Sequence, residues 1–233
     1  MTIRAAELAR NGLFVKICGI TSEEDALLAI AMGADALGFV FANGSTRQIS
    51  PNRVADIVKR LPSEVVTIGV FRDEAPARVI GLVQTSGLTG AQLHGHETVA
   101  QTAEVVAALP LVIQAFPAGD RTIDRAARYP VEIMMLDNPK PGSGELFDWS
   151  LADGVPPGKK LVLAGGLTPT NVAEAIQKVA PWGVDVSSGT ESSPGVKDAR
   201  KVRAFIANAR RAAAEMPTFE RQASGPYDWQ EEL

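Results

Sequence analysis

Val15-Lys16-Ile17-Cys18-Gly19-Ile20-Thr21 is the stretch whose reading decides the fold. Leu13 to Cys18 is a short run of apolar and β-branched residues, the pattern of a strand. Thr21, with Glu24 three residues later, has the form of a capping box and predicts a helix start. The helix would carry Leu27, Ile30, Ala31 and Ala34 on its apolar face. The sole cysteine therefore stands at the carboxyl end of a strand, before a loop into a helix. That is where α/β folds build their sites. A free cysteine by itself reads as a small buried hydrophobe. Strand alternation, however, puts Lys16 on the face of Cys18, and a lysine there calls for an ordered polar surface.

The same strand–helix unit recurs along the chain. Asp35 to Phe41 reads as a second strand, and Ser50-Pro51 caps a helix bearing Val54, Ile57, Val58 and Leu61. Val65 to Phe71 precedes a helix over 75–84, and Gly90 to Leu93 precedes one over 97–108. Leu111 to Phe116 is followed by a helix over 120–128, and Val131 to Asp137 is a strand apolar enough for burial on both faces. After a Gly- and Pro-rich loop, Lys160 to Ala164 leads to Thr168-Pro169 and a helix with Val172, Ala175, Ile176 and Val179. Gly183 to Ser187 closes the series, with Val202, Phe205, Ile206 and Ala209 on the final helix. Eight consecutive units without a composition break predict a single (β/α)8 TIM barrel. An open doubly wound sheet would want a G-x-G-x-x-G after the first strand, and none is there. The barrel is expected over 1–215, with 216–233 as a tail outside it.

Composition narrows the classes of function. Of the 233 residues, 45% are hydrophobic and 21% charged, enough for one sizeable core. A net charge of −4 leaves no footprint for nucleic acid or an anionic membrane, and no apolar run reaches membrane-span length. One cysteine excludes an internal disulfide and fits a reducing cytosol, so a cytoplasmic protein is expected. With only His94 and His96 beside it, no zinc cage is expected.

A barrel gathers the carboxyl ends of its strands on one face. Cys18 and Asp137, from the first and sixth strands, could meet across that mouth, and a thiol with a carboxyl suits proton transfer. Asp137 before Asn-Pro is also good turn chemistry. Gly165-Gly166 and Ser188-Gly189 fall in the seventh and eighth loops, the barrel's usual phosphate position, where exposed N–H groups hold oxygen anions. Gly142-Ser143-Gly144 offers further donors. Arg47 has a planar fork suited to a carboxylate, although a lone loop arginine is commonly just solvated. His94 reads as a hydrogen-bonded residue lining the site.

At these positions the chain resembles the phosphoribosylanthranilate isomerase family of the tryptophan pathway. The resemblance is carried by Lys16-Ile-Cys-Gly-Ile-Thr21, Gly33-Ala-Asp-Ala-Leu-Gly-Phe-Val-Phe41, Ser45-Thr-Arg-Gln-Ile-Ser-Pro51 and Gln92-Leu-His-Gly95. It continues through Leu136-Asp137, Phe147-Asp-Trp149, Leu163-Ala-Gly-Gly-Leu-Thr-Pro169, Val184-Asp-Val-Ser-Ser-Gly-Thr-Glu191 and Pro194-Gly-Val-Lys-Asp198. Pro141 replaces a frequent glycine of the sixth loop, Asn138 replaces a usual Thr or Ser, and the tail lies outside the pattern. The resemblance implies an Amadori rearrangement of N-(5-phosphoribosyl)anthranilate, with Asp137 as general acid and Cys18, as thiolate, as general base. Lys16 or the first helix's N-terminus would favour that thiolate. Arg47 would hold the anthranilate carboxylate and the last two loops the phosphate. No metal or organic cofactor is implied, and a monomer or homodimer is expected. A sugar-phosphate epimerase would want metal ligands at the strand ends, and an indole-glycerol-phosphate synthase a catalytic lysine, for which Lys16 is the candidate. A silent barrel that senses a phosphorylated metabolite is the remaining class, and turnover would separate it.

Overall fold

The computed structural model describes residues 8–9, 12–119, 126–137 and 155–216. Eight parallel strands close on themselves in sequence order: β1 (Phe14–Cys18), β2 (Ala36–Val40), β3 (Val66–Phe71), β4 (Gly90–Leu93), β5 (Val112–Pro117), β6 (Ile133–Asp137), β7 (Lys160–Leu163) and β8 (Gly183–Val186). The (β/α)8 barrel expected from the sequence is the fold. Between the strands lie α1 (Glu23–Ala31), α2 (Pro51–Val58), α3 (Pro76–Thr85), α4 (Val99–Ala108) and α5 (Val172–Val179), and α6 (Ala199–Glu215) follows β8. Gly144, the stretch 138–154 and residues 217–233 of the expected tail lie outside the described residues, as do residues 120–125 of the expected fifth helix. Among the described residues no helix is long and apolar enough to cross a membrane.

The period of two along each strand divides the core into an inner column and an outer shell. Phe14, Ala36, Ile68, Ile113, Ile133 and Val162 fill the lower barrel. Val15, Ile17, Leu37, Leu93, Met134 and Leu163 alternate with them and pack against the helices. Phe116 belongs to this outer shell, where its ring meets Tyr129 edge-on. Inward residues near the carboxyl ends are Cys18, Val40 and Val70.

Two helix starts differ from the sequence reading. The N-cap of α1 is Ser22, whose side chain accepts from the Asp25 N–H; the Thr21 hydroxyl instead donates to the Gly195 carbonyl. The buried face of α1 is Asp25, Ala26 and Ala29, while Leu27 is 44% exposed. Two alanines let the helix lie close on the strands, and the bulkier Leu27 is left on the far side. In α5 the Thr168-Pro169 pair forms a preceding turn, and the helix begins only after Asn171. The Asn171 side chain accepts from the Thr168 N–H and donates to the Gly166 carbonyl, so it braces the loop instead of capping the helix. By contrast Ser50 caps α2 with Pro51 in its first turn, as the sequence indicates. A small hairpin after β8, β9 (Glu191–Ser193) with β10 (Val196–Lys197), has no counterpart in the sequence reading.

At the bottom of the barrel Asp35 is almost fully buried and accepts from the Val15 N–H and from Arg210 of α6, each at 2.7 Å. Arg210 also donates to the carbonyls of Leu13 and Gly33. Because Arg210 is part-exposed and Asp35 keeps its bond from the Val15 N–H, removing the arginine costs less than breaking a fully buried pair, on the order of 2 kcal/mol. Arg210→Met is expected to lower the unfolding free energy by about that amount in urea denaturation. Arg211→Met, on the exposed side of the same helix, is expected to change it by less than about 0.5 kcal/mol.

Candidate active site

A cavity of about 440 Å³ opens at the carboxyl ends of the strands. Cys18, Arg47, His94, Asp137, Gly165, Gly166 and Ser188 all line it, so residues far apart in sequence meet at one mouth. Of the expected site residues that are described, only Gly189 is absent from this lining. Its role is steric: a Cβ there would lie 1.9 Å from the Leu167 carbonyl oxygen, so only glycine lets the seventh and eighth loops approach. Gly165 and Gly166 have φ of +81° and +72°, which turns the seventh loop tightly over the cavity. Among the described residues, the N–H groups of Gly165, Gly166 and Ser188 make no hydrogen bond with the backbone or a side chain.

Cys18 sits above a charged layer. Lys16, two residues earlier on the same inward face, is fully buried and donates to Asp185 Oδ1 at 2.8 Å. The two are register partners across β1 and β8. Gly38, the register partner of Cys18, leaves the space they need. A Cβ at Gly38 would stand 2.7 Å from the sulfur and 3.0 Å from Lys16 Nζ. Burial works to lower the Lys16 pKa, but Asp185 and the Cys18 sulfur overcome it and hold the ammonium above its ordinary range. Burial pushes the Cys18 thiol up; Lys16 and Lys197 pull it down, and Asp185 adds to the upward push. The net direction is upward. The sequence reading expected Lys16 to favour the thiolate, and in the free site burial outweighs it, with Asp185 already compensating the lysine charge. The ion pair also removes Lys16 from the role a synthase would give it.

Arg47 does not reach the cavity as an unengaged fork. Its Nε and Nη2 donate to the two Glu191 oxygens, each at 2.7 Å. Glu191 also accepts from Lys197 Nζ at 3.2 Å, and Lys197 donates to the Ser187 carbonyl at 3.1 Å. Burial works to raise the Glu191 carboxyl, but Arg47 and Lys197 prevail and hold it below its ordinary range. Gly19, with φ of +76°, lets this arginine pass: a Cβ there would lie 2.6 Å from Arg47 Cδ.

His94 bridges two side chains. Its Nε2 lies 3.0 Å from Asp137 Oδ2, and its Nδ1 lies 2.8 Å from Gln92 Nε2. The sequence reading missed Asp185, Glu191, Lys197 and Gln92. Alternation was the available signal for two of them: Asp185 keeps the period of Ser187 and Gln92 that of His94. Glu191 and Lys197 had none, since their hairpin was not foreseen. Among the described residues no group of His, Cys, Asp and Glu has the spacing to hold a metal ion.

Comparison with known proteins bears on this geometry. The N-(5′-phosphoribosyl)anthranilate (PRA) isomerase family profile matches residues 15–208. An N-(5′-phosphoribosyl)anthranilate isomerase from Trichlorobacter lovleyi is 48% identical over 204 residues, covering 85% of this chain and 98% of its own. The crystal structure of phosphoribosyl anthranilate isomerase from Thermus thermophilus superposes with a TM-score of 0.79 at 43% identity, over 84% of this chain and 98% of that one. A phosphoribosyl anthranilate isomerase solved with reduced 1-(o-carboxyphenylamino)-1-deoxyribulose 5-phosphate superposes at 0.77 and 41% identity, over 85% and 99%.

The electrostatic account of Cys18 is open to direct titration, because the chain has a single cysteine whose thiolate absorbs in the ultraviolet. Lys16→Met removes the larger of the two opposing influences and is expected to move the thiol titration to still higher pH. Lys16→Met with Asp185→Asn, which leaves no buried charge unpaired, is expected to shift it in the same direction. A downward shift in the double variant would refute the ordering of these effects.

Proposed function

The chain belongs to the phosphoribosylanthranilate isomerase family, isomerases of tryptophan biosynthesis, and from that membership we propose an Amadori rearrangement with divided proton-transfer roles. The substrate is N-(5-phosphoribosyl)anthranilate and the product 1-(2-carboxyphenylamino)-1-deoxyribulose 5-phosphate. The observation that carries this reading is that Cys18 and Asp137, from opposite sides of the barrel, line one cavity.

Asp137 acts as general acid and protonates the ribose ring oxygen. The bond from that oxygen to C1 breaks, and the anilino nitrogen's lone pair forms the iminium. Cys18, as thiolate, then removes the proton from C2; the C–H electrons form the C1–C2 double bond and neutralise the iminium. The enolamine becomes the ketone when the C2 hydroxyl loses its proton and C1 gains one. The cationic iminium itself acidifies C2–H, so the protein needs only a positioned acid and base.

The two ends of the substrate are anions, and the cavity offers a counterpart for each. Unengaged N–H groups of Gly165, Gly166 and Ser188 suit the phosphate. Gly189 supports them by allowing the close loop approach. Arg47 has five N–H donors, and Glu191 occupies its Nε–Nη2 edge, so the anthranilate carboxylate is met by the Nη1 side. Fixing both ends places the sugar between acid and base, which supplies several kcal/mol of the barrier.

Loss of anthranilate-type fluorescence on mixing the protein with freshly made substrate tests the activity. Cys18→Ser and Asp137→Asn are each expected to reduce turnover by about 10²–10⁴-fold while a product analogue still binds. A substrate analogue already opened to the iminium is expected to rescue Asp137→Asn and not Cys18→Ser. Rescue of both, or of neither, would sink the division of roles. Because Cys18 must be ionised and Asp137 protonated in the same molecule, kcat/KM of the free enzyme is expected to pass through a maximum with pH and fall on both sides, and burial of Cys18 places the limb that belongs to the thiol above the ordinary thiol range.

For the carboxylate, Arg47→Ala is expected to impair the full substrate far more than its decarboxylated analogue. Equal losses would mean that the arginine only braces its loop against Glu191.

A further inference from the structure

Gln92 touches the proposed acid only through His94, and its geometry makes it more than filler. It is 1% exposed on the inner face of β4, with Nε2 2.8 Å from His94 Nδ1 and 3.3 Å from Met135 Sδ. Its Oε1 is buried without a partner among the described residues. Exchanging the amide oxygen and nitrogen would change the volume little, so packing does not choose between the two orientations.

The choice comes from the far end of the chain of contacts. A carboxyl oxygen that bears no proton only accepts hydrogen bonds, so with the Asp137 proton off Oδ2 the N–H of this pair is on His94 Nε2. The neutral ring then has a lone pair at Nδ1, which only a donor satisfies, and the Gln92 amide N–H is that donor. The other tautomer would set the Nε2 lone pair against the unprotonated Asp137 oxygen, and the Gln92 amide would have to turn to accept at Nδ1.

We propose that Gln92 is a positioning residue for the reaction: it locks His94 in the Nε2–H tautomer, which in turn orients the Asp137 carboxyl. With Oδ2 accepting from His94, the transferable proton is carried on Oδ1 and leaves in a fixed direction. Once it has gone, the same imidazole N–H faces a full carboxylate, and such charge-assisted bonds are about twice as strong as neutral ones. The contact therefore strengthens as the proton departs, which is what lowers a barrier. In this arrangement no proton passes through His94. The inference rests on the reading of Asp137 as general acid.

The chain has only two histidines, His94 and His96, so nitrogen NMR of the histidine-labelled protein reads the tautomer of each without substrate. The wild-type protein is expected to carry the His94 proton on Nε2. Gln92→Met fills similar space without a donor; it should mix the tautomers and lower kcat about tenfold with KM within about twofold. Gln92→Glu can only accept from Nδ1; it should protonate that nitrogen and lower kcat by about a hundredfold. A wild-type His94 protonated on Nδ1 overturns the proposal even if neither variant folds. So does a Met variant with the wild-type tautomer and kcat. Absence of turnover in the wild-type protein would instead count against the isomerase reading, and the tautomer would still be decided in the free protein.

Discussion

The ion pair between Lys16 and Asp185 is the interaction on which the rest of the site depends. It joins β1 to β8, the seam where the barrel closes, and lies directly below the cysteine. Removing two charges from water is costly, and a buried pair is repaid only when its geometry is good. Here the 2.8 Å contact and full burial of the lysine fix how β1 and β8 meet. The same pair acts on the thiol above it: burial raises the thiol most, Lys16 opposes that and Asp185 works with it. Closure of the fold and the basicity of Cys18 are thus one electrostatic problem.

Such a layer needs room, and glycine provides it. At Gly38 and Gly19 a single added carbon would strike Cys18, Lys16 or Arg47. The inner face of β2 and the first loop are therefore shaped by the side chains of other strands. Gly189 does the same for backbone against backbone. The glycines in this mouth divide into those that admit functional side chains and those that leave N–H groups exposed.

The hairpin after β8 ties three loops together. Gly195 accepts from Thr21, the Lys197 N–H donates to Asp25, and Glu191 holds Arg47. The first, second and eighth loops are thereby joined beside the cavity, and Arg47 is held ready before any ligand arrives. Restricting it in advance reduces the conformational entropy lost on binding. Cys18 and Arg47 thus sit on segments braced by one small element.

The sequence by itself determined the barrel, because eight hydrophobic runs bounded by helix caps and turns are local signals, and each is written in consecutive residues. It also placed Cys18, His94 and Asp137 at strand ends, since alternation and strand length are local too, and Arg47 in a loop at the same mouth. Tertiary structure decided the rest. Thr21 and Leu27 were misassigned because both candidate caps and both helix faces are locally acceptable, and only packing on the strands selects Ser22 and the two alanines. The partners of Lys16 and Arg47 lie 169 and 144 residues away in sequence, and no short pattern announces them. The direction of the Cys18 shift likewise depends on how much water the closed barrel removes and on which charges surround the sulfur. Local order specifies where a side chain stands along its strand; only closure of the barrel specifies what it faces, and its protonation follows from that.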